Sequence, residues 1–303
     1  MTDGAAVLGS PAILGFNDWT AFVAWSGGQW NAAADYPLAS VASPESALVA
    51  RSLDLSAAAL SFTGTLDQPR LIGLAAIKLR NATIDCRVRL DLVDDLGAPL
   101  ADTGWIDYYP AVYDSLDLRW EHPNFWSGQF APDEIAGVVF TRPVIFDDLH
   151  FAAAFRWRLD DGDNPDSYLD VCYAPVAEGW RFSAMPAYGA AQYGRRLRSV
   201  VTESEETAHR SIRRVASTMV WKGTLIATRE EAVTRGLESL RRNDISEPMI
   251  WVPHPDEPRY WPMTCCIVTQ GDAGLFGYVT AGIDGDGADT LIDSIPIVLE
   301  EVN

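Results

Sequence analysis

The residues that most often carry chemistry are here in number but not in the patterns chemistry needs. His122, His150, His209 and His254 are scattered, and none stands in an H-E-x-x-H or H-x-E context. There is no G-x-S-x-G elbow and no glycine-rich phosphate loop. Glycoside hydrolysis needs only two carboxylates at a set separation, and 42 Asp and Glu residues supply many pairs, so a glycan hydrolase leaves no motif to find. The acidic stretches from Asp160 to Asp170 and from Asp284 to Asp289 bring carboxylates close together, as a hard cation requires. They lack the ligand order of a calcium loop, and Asp163-Asn164-Pro165-Asp166 also suits a tight turn, which is the preferred reading. Cys86, Cys172, Cys265 and Cys266 are too few and too irregularly spaced for a zinc site or a disulfide framework. The expectation is therefore no catalytic residue, no metal and no cofactor: a chain that is not an enzyme.

Two other groups could bind rather than react. Trp19, Trp25, Trp30, Trp120 and Trp126 fall in loop-like stretches, where indole faces could stack on sugar rings; core or interface packing is the competing use. Arg195, Arg196, Arg198, Arg210, Arg213 and Arg214 crowd into twenty residues of a protein with net charge −19. Arginine suits bidentate pairing with carboxylates, so this set is expected at an interface between copies of the chain. Head-to-tail contacts of that kind close into a ring. The acidic balance argues against a nucleic-acid partner, which needs a basic face. No apolar run is long enough for membrane insertion, and Met1-Thr2-Asp3-Gly4 has no basic leader stretch, so synthesis in a reducing cytoplasm is expected.

The elements that must position these groups are mostly strands. Residues 84–92 alternate, with Ile84, Cys86, Val88, Leu90 and Leu92 on one face. Apolar or alternating runs at 51–60, 70–79, 105–109, 151–159 and 168–174 are separated by turn residues, the spacing of a sandwich or jelly roll. After Tyr188-Gly189 the composition shifts. Segments 197–202 and 209–225 read as a long hairpin. A helix follows, with Thr228 as cap, Glu230 and Glu231 in its first turn and Arg241 and Arg242 in its last, and with Val233, Leu237 and Leu240 on one face. Strands are expected at 248–252, 260–270 and 290–302. The fold class is mainly β: an N-terminal β-sandwich over 1–188 and a C-terminal α+β domain with one helix over 189–303.

The stretch from Phe155 to Val171, with Arg156-Trp157-Arg158-Leu159-Asp160 and Asn164-Pro165-Asp166-Ser167-Tyr168, resembles the final strands of a galactose-binding-like jelly roll. It is similar to the version in tail-tip proteins of long-tailed bacteriophages, with Ser167 where that family has Gly. Lys78-Leu79-Arg80-Asn81-Ala82-Thr83, Asp102-Thr103-Gly104-Trp105 and Ile250-Trp251-Val252-Pro253-His254-Pro255 resemble further family segments in order. The resemblance implies a distal-tail, baseplate component: a structural virion protein assembled in the host cytoplasm and located at the tail tip. It would form a homo-oligomeric ring of three- or six-fold symmetry joining tail tube to baseplate hub proteins, with host glycan as a further partner. The alternative it implies is a carbohydrate-binding adhesion module contacting host-surface glycan.

Overall fold

The computed structural model describes residues 12–302 except 32–35, 46, 115–119, 122–123, 136–138, 183–191, 197–199, 204–209, 214–217, 232–233, 236–246, 271–278 and 283–290. The chain forms two compact units: Met1–Phe182 with Pro248–Ile267, and Ser183–Glu247 with Val268–Asn303.

In the first unit the strands are β1 (Ile13–Gly15), β2 (Val23–Ser26), β3 (Ala50–Arg51), β4 (Ser61–Leu79), β5 (Arg87–Val93), β6 (Pro99–Asp102), β7 (Ile106–Asp107), β8 (Phe140–Asp160), β9 (Asp170–Tyr173), β10 (Val176–Ala177) and β11 (Trp180–Arg181). Nine of them form one sheet around the order β3-β9-β4-β8-β5-β6, with β2 and β10 also on β4 and β7 on β5. Every pairing is antiparallel, so both faces need not be covered and alternation survives in the outer strands. The expected face of 84–92 is there: Cys86, Val88, Leu90 and Leu92 are buried, although the strand begins only at Arg87.

The axis of the unit is the β4–β8 pair, Ser61↔Arg158 through Leu79↔Phe140, bulged between Thr65 and Arg70 and between Ile72 and Leu74. Leu74 to Leu79 are buried without alternation because layers cover both faces of that end. One cover is the small layer in which β1 pairs with β11 and with β16 (Met249–Val252). It comes so near that a Cβ on Gly15 would lie 2.7 Å from Leu74 Cδ2. Gly64 has the same role on β4, where a Cβ would stand 2.3 Å from the Phe155 ring. Tyr108 is fully buried at the seam: its hydroxyl accepts from the Leu79 N–H at 2.8 Å and donates to the Phe140 carbonyl.

The second unit is built on a long hairpin that starts before the expected segments 197–202 and 209–225, at Gln192. β12 (Gln192–Arg196) pairs with β15 (Thr218–Thr228), and β13 (Val200–Glu203) pairs with β14 (Arg210–Arg213). β15 then runs against β19 (Leu291–Glu301), which also pairs with β17 (Cys266–Gln270) and β18 (Val279–Gly282).

Three expectations need correction. The α+β domain with one helix is not supported, because the described helix there is the single turn Arg229–Glu231, with Thr228 Oγ1 accepting from the Glu231 N–H at 3.3 Å. Val233, Leu237, Leu240, Arg241 and Arg242 lie outside the described residues. The second unit is not the unbroken stretch 189–303: Pro248–Ile267 belongs to the first unit, where β16 pairs with β1. The strand over 260–270 is only Cys266–Gln270, since Pro258 and Pro262 favour the helical turns Pro258–Tyr260 and Trp261–Thr264 before it.

Candidate functional site

One side chain in the first unit stands out on energetic grounds. Arg142 lies near the start of β8, opposite Ile77, and is only 9% exposed. Its Nε and Nη1 are buried and have no hydrogen-bond partner among the described residues. Its guanidinium lies over the Trp261 ring, 4.8 Å from the centroid. Burial pulls its pKa down to about 10, against the attraction of Asp107. A buried, unpaired cation costs several kcal/mol, so its retention marks a position that serves something other than stability.

Arg142 walls two cavities. The first, about 560 Å³, is also lined by Asp147, Asp148, His150, Arg181 and Asp256. The second, about 1010 Å³, shares Ile106, Arg142 and Asp256 with it and adds Trp105 and Arg259. Trp105 is 43% exposed, which for an indole beside open polar space is a ready stacking face. The turn that presents it, Asp102-Thr103-Gly104, is held by the Gly104 N–H on Asp102 Oδ1 at 2.8 Å, with Gly104 at φ +62°.

The walls are held in place by charge pairs. Arg89 Nε donates to Asp102 Oδ1 at 2.9 Å and also reaches Asp91, which Arg158 approaches to 2.7 Å. Burial pushes the Asp102 carboxyl up, but the Gly104 N–H and the Arg89 guanidinium outweigh it and hold it below the usual value. Behind Arg142, Trp261 is fixed by its Nε1–H on the His254 carbonyl at 2.8 Å. Half-burial pushes the His254 imidazole below its ordinary pKa, against the pull of Glu257. A third cavity, about 480 Å³, lies beyond Asp107 and is lined by Asp85, Arg87, Asp160 and Asp163. The site thus offers guanidinium donors, carboxylate acceptors and an aromatic face together. That is the equipment for gripping hydroxyl-rich molecules.

The expected stacking residues do not form one site. Trp19 is 9% exposed and donates from Nε1 to the Leu71 carbonyl at 3.0 Å, with Arg70 over its ring. Trp25 and Trp30 turn their rings to Phe62, 5.8 and 5.5 Å between centroids. Trp120 and Trp126 are exposed, at 74% and 89%, in another loop, where Trp126 packs on Phe125. Three of the five therefore pack against the protein itself, as large apolar rings do.

Of the arginines, Arg196 is exposed and paired within the chain, Nη1 to both Glu300 oxygens at 2.9 and 2.8 Å. Arg195, Arg210 and Arg213 sit on strands β12 and β14, while Arg198 and Arg214 lie outside the described residues. The Asp160–Asp166 segment is a turn. The Asn164 side chain donates to Asp161 Oδ2 at 2.7 Å and to the Asn81 carbonyl at 2.8 Å. Among the described residues no group of three or more His, Cys, Asp or Glu could hold a metal, and the stretch from Asp284 to Asp289 is outside them. Arg142, Trp261 and Trp105 are what sequence reasoning missed as a site. The signal that could have found them is an arginine inside the apolar run Val139-Phe140-Thr141-Arg142-Pro143-Val144-Ile145-Phe146.

No protein-family model matches the chain, and no curated protein does. Solved structures do. A family 32 carbohydrate-binding module from C. perfringens NanJ, in complex with galactose, aligns at 12% identity over 54% of this chain and 98% of that one, TM-score 0.33. CBM32-1 from a family 31 glycoside hydrolase of Clostridium perfringens aligns at 16% identity over 51% and 92%, TM-score 0.32. The catalytic unit of a GH87 alpha-1,3-glucanase from Streptomyces thermodiastaticus strain HF3-3 aligns at 13% identity over 60% and 29%, TM-score 0.27. None of these three is a phage tail protein.

Proposed function

We propose that the first unit is a carbohydrate-binding module, the adhesion alternative of the sequence reading, and that it binds without catalysis. The observation that carries this is Arg142: a guanidinium that lies over the Trp261 ring and lines two cavities, the second of them walled also by the exposed Trp105. Asp147, Asp148 and Asp256 beside it disfavour a polyanion and accept from hydroxyls, so the ligand is an uncharged glycan. The test is a glycan array with the full chain, repeated with Trp105→Ala. Binding to neutral glycans that weakens about two- to tenfold in the variant supports the proposal, since an aromatic contact contributes about 0.5–1.5 kcal/mol. An array with no bound glycan overturns it.

The second reading, a ring subunit at a phage tail tip, is favoured by one feature, the two-stranded ribbon β13–β14 that carries Arg210 and Arg213. Under that reading the protein is located in the virion, and host glycan, tail tube and baseplate hub are its partners. Mass photometry tests it: a ring that Arg210→Glu with Arg213→Glu disperses supports it, and a monomer at micromolar concentration rejects it.

A further inference from the structure

We infer that the glycan bound at Arg142 is an extended chain, laid along β7 through three adjoining subsites, an inference that rests on the carbohydrate-binding reading. A single ligand pocket holds about 300–1,000 Å³. Here three cavities of about 560, 1010 and 480 Å³ share walls. Ile106, Arg142 and Asp256 belong to both the first and the second, and Asp107 to both the second and the third. The two residues of the edge strand β7 thus link the row, Ile106 on the first two cavities and Asp107 on the last two. It is pinned to β5 by the register Arg87↔Asp107 and Val88↔Ile106. Arg87 in turn pairs with Asp160 and lies 5.7 Å from the Trp105 ring centroid, which joins the stacking face to the third cavity.

The chemistry changes along the row and limits what the far unit can be. The first cavity mixes Arg142 and Arg181 with four aspartates. The third is walled by Asp85, Asp107, Asp160, Asp161 and Asp163, with Arg87 already committed to Asp160. Asp161 is occupied, accepting from the Thr83 N–H at 3.2 Å and from Asn164, so the accessible acceptors are Asp85, Asp107 and Asp163. An uncharged sugar unit donates hydroxyls to such a wall, whereas a uronic acid meets like charge. A chain that fills two neighbouring subsites gains affinity because the second contact is intramolecular.

Calorimetric titration with ladders of glucose, galactose and N-acetylglucosamine oligosaccharides of one, two, four and six units reads this directly. For the ladder that binds, affinity should rise at least about tenfold from two units to four or six. Gly162→Trp should bring the long oligosaccharides down to the disaccharide's value. Gly162 lines the third cavity, and a Cβ there meets nothing within 4 Å, so the turn has room for an indole at the cavity's wall. Circular dichroism checks that the variant folds. An affinity that does not depend on length, or a gain that survives Gly162→Trp, overturns the extended-chain inference and leaves the carbohydrate-binding reading standing. No heat with any sugar at any length sinks both.

Discussion

Replacing Arg142 with Met should make the protein more stable while removing its ligand. Met keeps the aliphatic stem and roughly the volume, and removes only the charge and its N–H groups. An arginine in water stays protonated far beyond pH 12, so a guanidinium held at about 10 is paying roughly 3 kcal/mol for its burial, at about 1.4 kcal/mol per tenfold. Against that stands the contact with the Trp261 face at 4.8 Å, about 1–2 kcal/mol when desolvated. The difference predicts a gain of about 1–2 kcal/mol, or roughly 2–6 °C in Tm. Urea unfolding followed by tryptophan fluorescence measures it. The pH dependence has a definite sign. The unfolded chain keeps this proton to higher pH than the folded one, so wild-type stability recovers as pH rises past about 10. The advantage of Arg142→Met should therefore be full at neutral pH and shrink above pH 10. A variant destabilised by more than about 1 kcal/mol at neutral pH would refute the reasoning, because it would mean the guanidinium is satisfied where it lies.

Other consequences follow from single contacts. Tyr108→Phe strands the buried Leu79 N–H and should cost about 1–3 kcal/mol in a urea melt. Ser167 sits at φ +61°, a left-handed conformation that favours Gly, so Ser167→Gly should raise stability by up to about 1 kcal/mol. Calcium and EDTA should leave the melting temperature equal within error, because the Asp160–Asp166 carboxylates and amides serve a turn; a shift that saturates with calcium would contradict this.

Local regularities in the chain were legible in the sequence. The alternation ending at Leu92 is β5, and the runs 197–202 and 209–225 overlap β13, β14 and the first part of β15. Both depend on neighbours in sequence, so periodicity finds them. β4 is legible only from residue 70 because Gly64 and Asp67-Gln68-Pro69 interrupt the pattern; the structure pairs Gly64 with Phe155 and absorbs the other three in a bulge between Thr65 and Arg70. The first half of β8 was missed for a similar reason: Pro143 reads as a breaker but lies opposite Ala76 in the ladder. The return of β16 to β1, pairing Ile250 with Gly15, depends on contacts between distant segments, which no local pattern encodes. The burial of Arg142 is a property of the assembled layers, and its one local mark is a charge inside the apolar run 139–146.

The most direct measurement is a crystal structure of the full chain soaked with the best-binding neutral oligosaccharide. The account predicts sugar density along Ile106–Asp107, with a hydroxyl or ring oxygen on Arg142 and a ring face on Trp105. Density at Trp120 or Trp126 instead, with the cavities around Arg142 empty of sugar, would contradict it.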